Sequence, residues 1–415
     1  MRIKTLFVAI VAMIMATAAF AQQSTPYDRS AMDLTKKPGN DFYEYAGGTW
    51  MRTHPLDAEH SRYGAFDKIA EDNQEQLRDI ICGLAESQPA QGTLEQKIAS
   101  LYRLAMDSVR RNREGAAPIL PAVRRIQAID SKAALWVLIS QLGREGVPTF
   151  FGVGVGADEK DARNNIVQIQ QGGLTLGNRD YYLDEDESTL KIREAYKQYI
   201  VGLLQLVGNT ESQATVKMQQ ILDIETRLAK PSFSRVQLRN PEANYHKLTY
   251  TQLITEYPGI DWSTLFLQGN FPAFSDVVLG QPAPIHEVEG ILAESPLEAL
   301  KAYTEFRLVD DAANALSDEF RTLSYNLYSH TMSGTRQDRP RWKRAVSVVG
   351  NVLGEAVGKI YVERYFPESS KQRMTQLVRN LQTALGQRID AQDWMSAETK
   401  VKAHEKLDAF YVKIG

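Results

Sequence analysis

Apolar residues recur at three- and four-residue steps along most of the chain, and that period confines it to packed helices. Over residues 66–84, Phe66, Ile69, Leu77, Ile80, Ile81 and Leu84 mark one helix face. The next helix opens with Thr93 and Gln96, a pair whose side chains can satisfy each other's backbone N–H groups, ahead of Ile98, Leu101, Tyr102 and Ala105. The same period predicts helices over 188–207, 211–229, 297–331, 342–365, 369–388 and 397–411, punctuated by Pro231, Pro241, Pro340 and Pro367. One region departs from it. TFFGVGVG (149–156) and NNIVQIQQ (164–171), separated by the polar stretch ADEKDAR, predict a β-hairpin with a longish loop. The fold class is therefore mainly α with a small β-hairpin.

The first residues differ in kind. Arg2 and Lys4 precede an apolar run from Leu6 to Ala19, and Ala19-Phe20-Ala21 offers small residues around a cleavage point. Residues 1–21 read as a secretory signal peptide, cleaved before Gln22, and the chain as exported to a periplasm or beyond. The run is near the lower length limit for a membrane span. Removing Arg2 and Lys4 leaves 46 basic residues against 51 acidic. That balance argues against nucleic acid, DNA or RNA, as a partner, because phosphate binding needs a concentrated basic surface. The single cysteine, Cys82, forms no internal disulfide and reads as a buried small hydrophobe.

No motif carries a complete chemistry. The six histidines are His54, His60, His246, His286, His330 and His404, and no two stand four apart. His404-Glu405 opens like HExxH, but Asp408 occupies the second histidine's place. A catalytic zinc takes three protein ligands and a supporting shell, and none is indicated, so His404 reads as packing beside Val401, Leu407 and Tyr411. There is no GxSxG, and Gly152, Gly154 and Gly156 alternate as in a strand rather than a dinucleotide loop. Asp184 to Glu187 lack the glycine and spacing of a calcium loop. Arg336, Arg339, Arg341, Lys343 and Arg344 around Trp342 read as a surface turn and helix start. From the residues alone the chain is an exported, mostly helical binding or scaffold protein.

Six segments in order extend that. PGNDFYEYAGGTW (38–50), SRYGAF (61–66), LGNRDYY (176–182), RNPEANYHKLT (239–249), WKRAVSVVGNVLGEAVGKIYVERYFP (342–367) and DWMSAETKVKAHEKL (393–407) resemble the neprilysin family of zinc metalloendopeptidases, which includes endothelin-converting enzyme and bacterial endopeptidase O. In that family a segment similar to AETKVKAHEKLDAFYVKIG precedes the catalytic part bearing HExxH, its downstream glutamate and an NAY-type motif. The resemblance implies the amino-terminal portion of an exported oligopeptide-hydrolysing enzyme, with zinc in the full-length protein and none bound by this chain, which alone is expected to be inactive. The alternative is a stand-alone, non-catalytic peptide-binding module of a bacterial envelope.

The family fold implies two mainly helical lobes around a chamber. Here, 22–37 would be an exported linker and 38–75 a segment packed near the catalytic lobe. Residues 76–370 would form the large helical capping lobe, and 371–415 the start of the segment leading into the absent catalytic lobe, the chain's expected partner. One residue carries over as substrate-binding. Arg62, in SRYG, corresponds to an arginine that holds the substrate's free carboxylate, for which a guanidinium fork is well shaped. A second such arginine stands eight residues on in neprilysin, where this chain has Ala70. That departure implies broader endopeptidase behaviour. Trp50, Tyr181, Tyr182, Trp342 and Trp394 are expected to fill cores. Cysteines flanking the DFYEYA-like segment in animal members are Gly39 and Gly47 here.

Overall fold

The structure, a computed structural model, describes residues 28–415; the signal-peptide segment lies outside them. The chain divides into two compact units, one ending at Glu71 and the other beginning at Asp72.

In the first unit, α1 (Phe42–Thr53) starts where the Asp41 carboxylate accepts from the Glu44 N–H at 2.9 Å. Gly48 lets this helix lie against the preceding segment, because a Cβ there would stand 3.0 Å from the Asp33 side chain. Asp33 accepts from the Thr35 hydroxyl and from Arg52 at 2.9 Å, and these contacts hold its carboxyl down to about 2. The helix α2 (Ala65–Ser87) begins in this unit. Phe66 and Ile69, expected on its core face, are instead 89% and 63% exposed. The three-residue step marks a face of α2, but nothing among the described residues covers its first turn.

The second unit continues through α3 (Leu94–Met106), α4 (Ser108–Glu114), α5 (Leu120–Gln127) and α6 (Lys132–Arg144) to the hairpin of β1 (Phe151–Asp158) and β2 (Asp161–Gln171). After the short α7 (Asp180–Leu183) come α8 (Glu187–Leu206) and α9 (Glu211–Ala229). Then follow β3 (His246–Thr249), α10 (Tyr250–Glu256), α11 (Trp262–Gln268), β4 (Asp276–Leu279), α12 (Pro282–Glu294) and α13 (Leu297–Ala312). The chain closes with α14 (Asp318–Ser324), a π-helical turn (Tyr325–Thr331), α15 (Arg341–Tyr365), α16 (Glu368–Asp390) and α17 (Ala397–Asp408).

The expected hairpin forms, with a tighter turn than ADEKDAR suggested: both strands run into that stretch, and only Glu159 and Lys160 stand between them. It also belongs to a larger sheet, ordered β1-β2-β4-β3, in which β2 and β4 are parallel. The four-residue strands β3 and β4 carry too few residues for alternation to announce them. The helix predicted over 297–331 breaks after Ala312, and Ser317 starts α14.

Two hydrophobic cores organise this unit. The larger centres on α13, which is buried along most of its length, with Tyr196, Trp262, Phe306 and Phe320 among its fully enclosed side chains. The smaller joins Ile81 of α2, Ile98 and Tyr102 of α3 and Ala345, Val346, Val349 and Val357 of α15. By length and composition α15 could cross a membrane, but it donates these residues to a core and bends at Leu353, between Gly350 and Gly354. Cys82 is half-buried rather than buried, and its thiol donates to the Tyr102 hydroxyl at 3.3 Å.

One buried polar hub explains LGNRDYY. The fully buried Glu225 of α9 accepts from Thr175 at 2.6 Å and from Tyr182 and Tyr196 at 2.7 Å each, while the Leu176 N–H donates to the Tyr182 oxygen. Burial raises the Glu225 carboxyl above its usual range, opposed by the nearby Arg307. Gly173 approaches the same hub. Its φ of +81° favours glycine, and a Cβ would stand 2.7 Å from Leu228 and 2.9 Å from the Phe150 carbonyl.

Candidate substrate-binding site

Arg62 belongs to the first unit, in the irregular segment between α1 and α2. Its neighbours are fixed by short-range chemistry. Trp50 and His54, four apart on α1, stack with ring centroids 4.5 Å apart, and Tyr63 stacks on Trp50 at 5.9 Å. The Tyr63 hydroxyl donates to Glu71 at 2.5 Å, and the Gly64 N–H donates to Asp67 at 2.8 Å, starting α2. Beside these rings lies a groove of about 700 Å³. Tyr43, Leu56 and Ile69 give it apolar walls, and Arg62 and Lys68 bring positive charge to its lining.

Arg62 is exposed and makes no hydrogen bond or ion pair among the described residues. An extended cation beside aromatic and apolar walls suits a carboxylate attached to an apolar side chain. Ala70 adds no charge, as its position in the sequence required. Lys68 is the feature that the sequence reading missed; its signal was a cation six residues after Arg62, on the first turn of α2.

Zinc, which the resemblance implies for the full-length protein, was tested against the donor groups present. The hydrogen-bond partner of His404 is Asp390 rather than Asp408: its Nε2 lies 2.8 Å from Asp390 Oδ1, at the end of α16. Of its expected stripe only Leu407 is buried, and Val401 and Tyr411 are exposed. Among the described residues, Asp57, His60 and Glu71 bring three ligand atoms within 4.8 Å of one another, a grouping not legible in the sequence because Glu71 comes from α2. There the imidazole Nδ1 lies 2.8 Å from Asp57 and Nε2 3.7 Å from Glu71. Burial raises the Asp57 carboxyl, but His60 and the backbone N–H groups of Glu59 and His60 together hold it below its ordinary range. A single imidazole, hydrogen-bonded to Asp57, beside a Glu71 that already accepts from Tyr63, offers one nitrogen donor and does not fit the donor set of a catalytic zinc.

The aromatic expectations divide. Tyr182 is buried, whereas Trp394 is 72% exposed, its indole N–H donating to Gln392. The basic cluster also departs from a simple surface turn, since Arg341 and Arg344 enter a partly buried ion network.

The fold and the relatives agree. The amino-terminal sequence profile of Peptidase family M13 matches residues 38–415. Endothelin-converting enzyme 1 of Homo sapiens is 31% identical over 399 residues, covering 93% of this chain and 51% of that protein. The Bos taurus enzyme is 30% identical over 401 residues, covering 93% and 52%. Among solved structures, the Mycobacterium tuberculosis zinc metalloprotease Zmp1 in complex with an inhibitor matches with a TM-score of 0.84 at 30% identity, over 92% of this chain and 58% of that one. PepO from Lactobacillus rhamnosis matches with a TM-score of 0.78 at 20% identity, over 90% and 59%, which speaks for the fold alone. The fold is the mainly helical one of these metalloproteases. The chain belongs to Peptidase family M13, the neprilysin and endothelin-converting-enzyme group of zinc metallopeptidases, and corresponds to its amino-terminal portion. It spans about half the length of the curated relatives it matches.

Proposed function

We propose that this chain is the substrate-admitting, amino-terminal part of an exported zinc metalloendopeptidase acting on oligopeptides, and that Arg62 receives the substrate's terminal carboxylate. The observation that carries the reading is the groove itself: an exposed guanidinium with no ion-pair partner among the described residues, on a segment pinned by stacked aromatic rings. In this reading residues 76–370 cap a chamber, 38–75 and 371–415 pack on a catalytic lobe, and zinc with its HExxH helix belongs to that lobe. The cap then selects peptides by size, and Arg62 orients those short enough to present a free carboxylate. Export rests on Arg2, Lys4 and the apolar run that follows.

The test compares the intact protein with residues 22–415 alone. The intact protein should cleave oligopeptides, lose that activity to a chelator and regain it with zinc. Residues 22–415 should cleave none and carry no stoichiometric zinc. One tightly held zinc per chain of this segment, lost on His60→Ala or His404→Ala, would overturn the assignment. Mature protein recovered from the native host should begin at Gln22; intact Met1 in the cytoplasm would contradict export.

A further inference from the structure

Arg111 of α4, Arg321 of α14 and Arg341 and Arg344 of α15 converge on two carboxylates, Asp318 and Asp338. Arg341 Nη2 donates to Asp318 Oδ1 at 2.6 Å, and Arg111 Nη2 lies 3.9 Å from the same oxygen, so these two guanidiniums sit side by side. Asn112 donates to the other Asp318 oxygen at 2.9 Å. Asp338 is taken by Arg321, whose Nε donates at 3.0 Å, and by Arg344. Four cations therefore share two anions, with Arg111, Arg321, Arg341 and Arg344 each at least three-quarters withdrawn from solvent.

The deficit is visible atom by atom. Arg111 Nε and Arg341 Nη1 are buried and have no acceptor among the described residues, and the Ser317 hydroxyl, on a residue 3% exposed and adjoining Asp318, has no partner either. Burial lowers the Arg111 guanidinium below its ordinary range, and the charges of Arg341, Arg344 and Arg321 add to that effect against the opposing charge of Asp318. The helix α15 sharpens the imbalance: its first turn has no acidic residue and no side-chain cap, so its positive end adds to the basic cluster. Native structures rarely leave buried donors without acceptors, and the missing acceptor here should be negative.

We propose that this cluster is a binding site for a small inorganic anion, a halide or a phosphate-sized oxyanion, held between Arg111 and Arg341 beside Ser317. Bound there, the anion accepts from Arg111 Nε and Arg341 Nη1 and offsets the mutual repulsion of the guanidiniums. It thereby ties α4 and α14 to the start of α15, which carries the smaller core.

The experiment is thermal unfolding of the purified protein at constant ionic strength, exchanging a bulky organic sulfonate for chloride in one arm and for phosphate in another. A saturable rise in Tm of roughly 2–4 °C is expected with chloride, phosphate or both. Chloride alone would mark a halide-sized site, and phosphate an oxyanion site. Arg111→Gln should abolish the rise and, in sulfonate, be at least as stable as the wild type, because it removes a repelled charge. No rise in either chloride or phosphate, or a loss of stability in Arg111→Gln of the same size in every salt, would overturn the site. Should the variant not fold, calorimetric titration of the wild type with phosphate and the chloride-35 line width decide it: absence of both heat and broadening refutes the proposal.

Discussion

Two residues show how little of a side chain's role is visible from its type. Arg62 and Arg307 are both arginines in recognisable surroundings, yet one is exposed beside a groove and the other buried, donating to the Pro148 carbonyl and to Thr175. If Arg62 holds a terminal carboxylate, Arg62→Ala in the intact protein should reduce kcat/KM for short free-acid peptides by roughly 10- to 150-fold, the equivalent of about 1.5–3 kcal/mol. The same peptides amidated at the end should change little. Equal losses for acid and amide forms, with a lower Tm, would make Arg62 a structural residue instead. Glu225 makes the opposite prediction. Its removal strands Tyr182, Tyr196 and Thr175 beside a buried guanidinium, so Glu225→Ala should destabilise the protein by about 3–5 kcal/mol in denaturant unfolding.

At the scale of elements, local chemistry decided where several helices start. Thr93 caps α3, but Gln96 does not complete the reciprocal pair: its side chain turns to the Gly92 N–H and to Ser100. Thr210 with Gln213 and Thr249 with Gln252 do complete it, at the starts of α9 and α10. The hairpin is secured at its turn by Asp158, which accepts from the Tyr245 hydroxyl at 2.7 Å and from Lys247 at 3.0 Å. The Tyr245 contact, the Lys160 backbone N–H and Lys247 together hold its carboxyl at about 2. A carboxyl depressed on folding contributes stability that is complete above its unfolded value, near 4, and is lost as the pH falls towards 2. Protection of the hairpin-turn amides, their exchange measured relative to the intrinsic rate, should therefore fall between about pH 4 and 2. Asp158→Asn should already exchange faster at neutral pH and lose most of that pH dependence; an unchanged profile would mean that Asp158 does not secure the turn.

Across the whole molecule the second unit leaves apolar surface uncovered. On α16, Met374, Leu377, Leu381 and Leu385 recur at three- and four-residue steps and are all exposed, and Val348 and Val352 are exposed on α15. A face of this kind on a helix is ordinarily covered by protein. In the proposed assembly the catalytic lobe covers it. Residues 22–415 alone should then self-associate and bind a hydrophobic dye, whereas replacing Leu377, Leu381 and Leu385 with glutamine should reduce both without lowering Tm. Sedimentation velocity would decide; a monodisperse wild-type monomer would count against a missing partner on that face.

The mainly helical class, the hairpin and the family were readable from the chain because each rests on short-range order: a period of three and four, an alternation of two, and motifs confined to a few neighbours. The groove around Arg62 was half-readable, since SRYG named the arginine but not the stacking of Trp50, His54 and Tyr63 that shapes its wall. Tertiary structure alone decided the rest. The parallel pairing of β2 with β4 joins residues more than a hundred positions apart. The break after Ala312 divides a periodic apolar run between two helices, and Phe66 and Ile69 keep helical spacing without a core to face. Arg111 meets Arg341 and Asp318 for the same reason. Periodicity specifies which residues share a face, but what that face meets depends on contacts between distant segments, and these are fixed only when the chain packs.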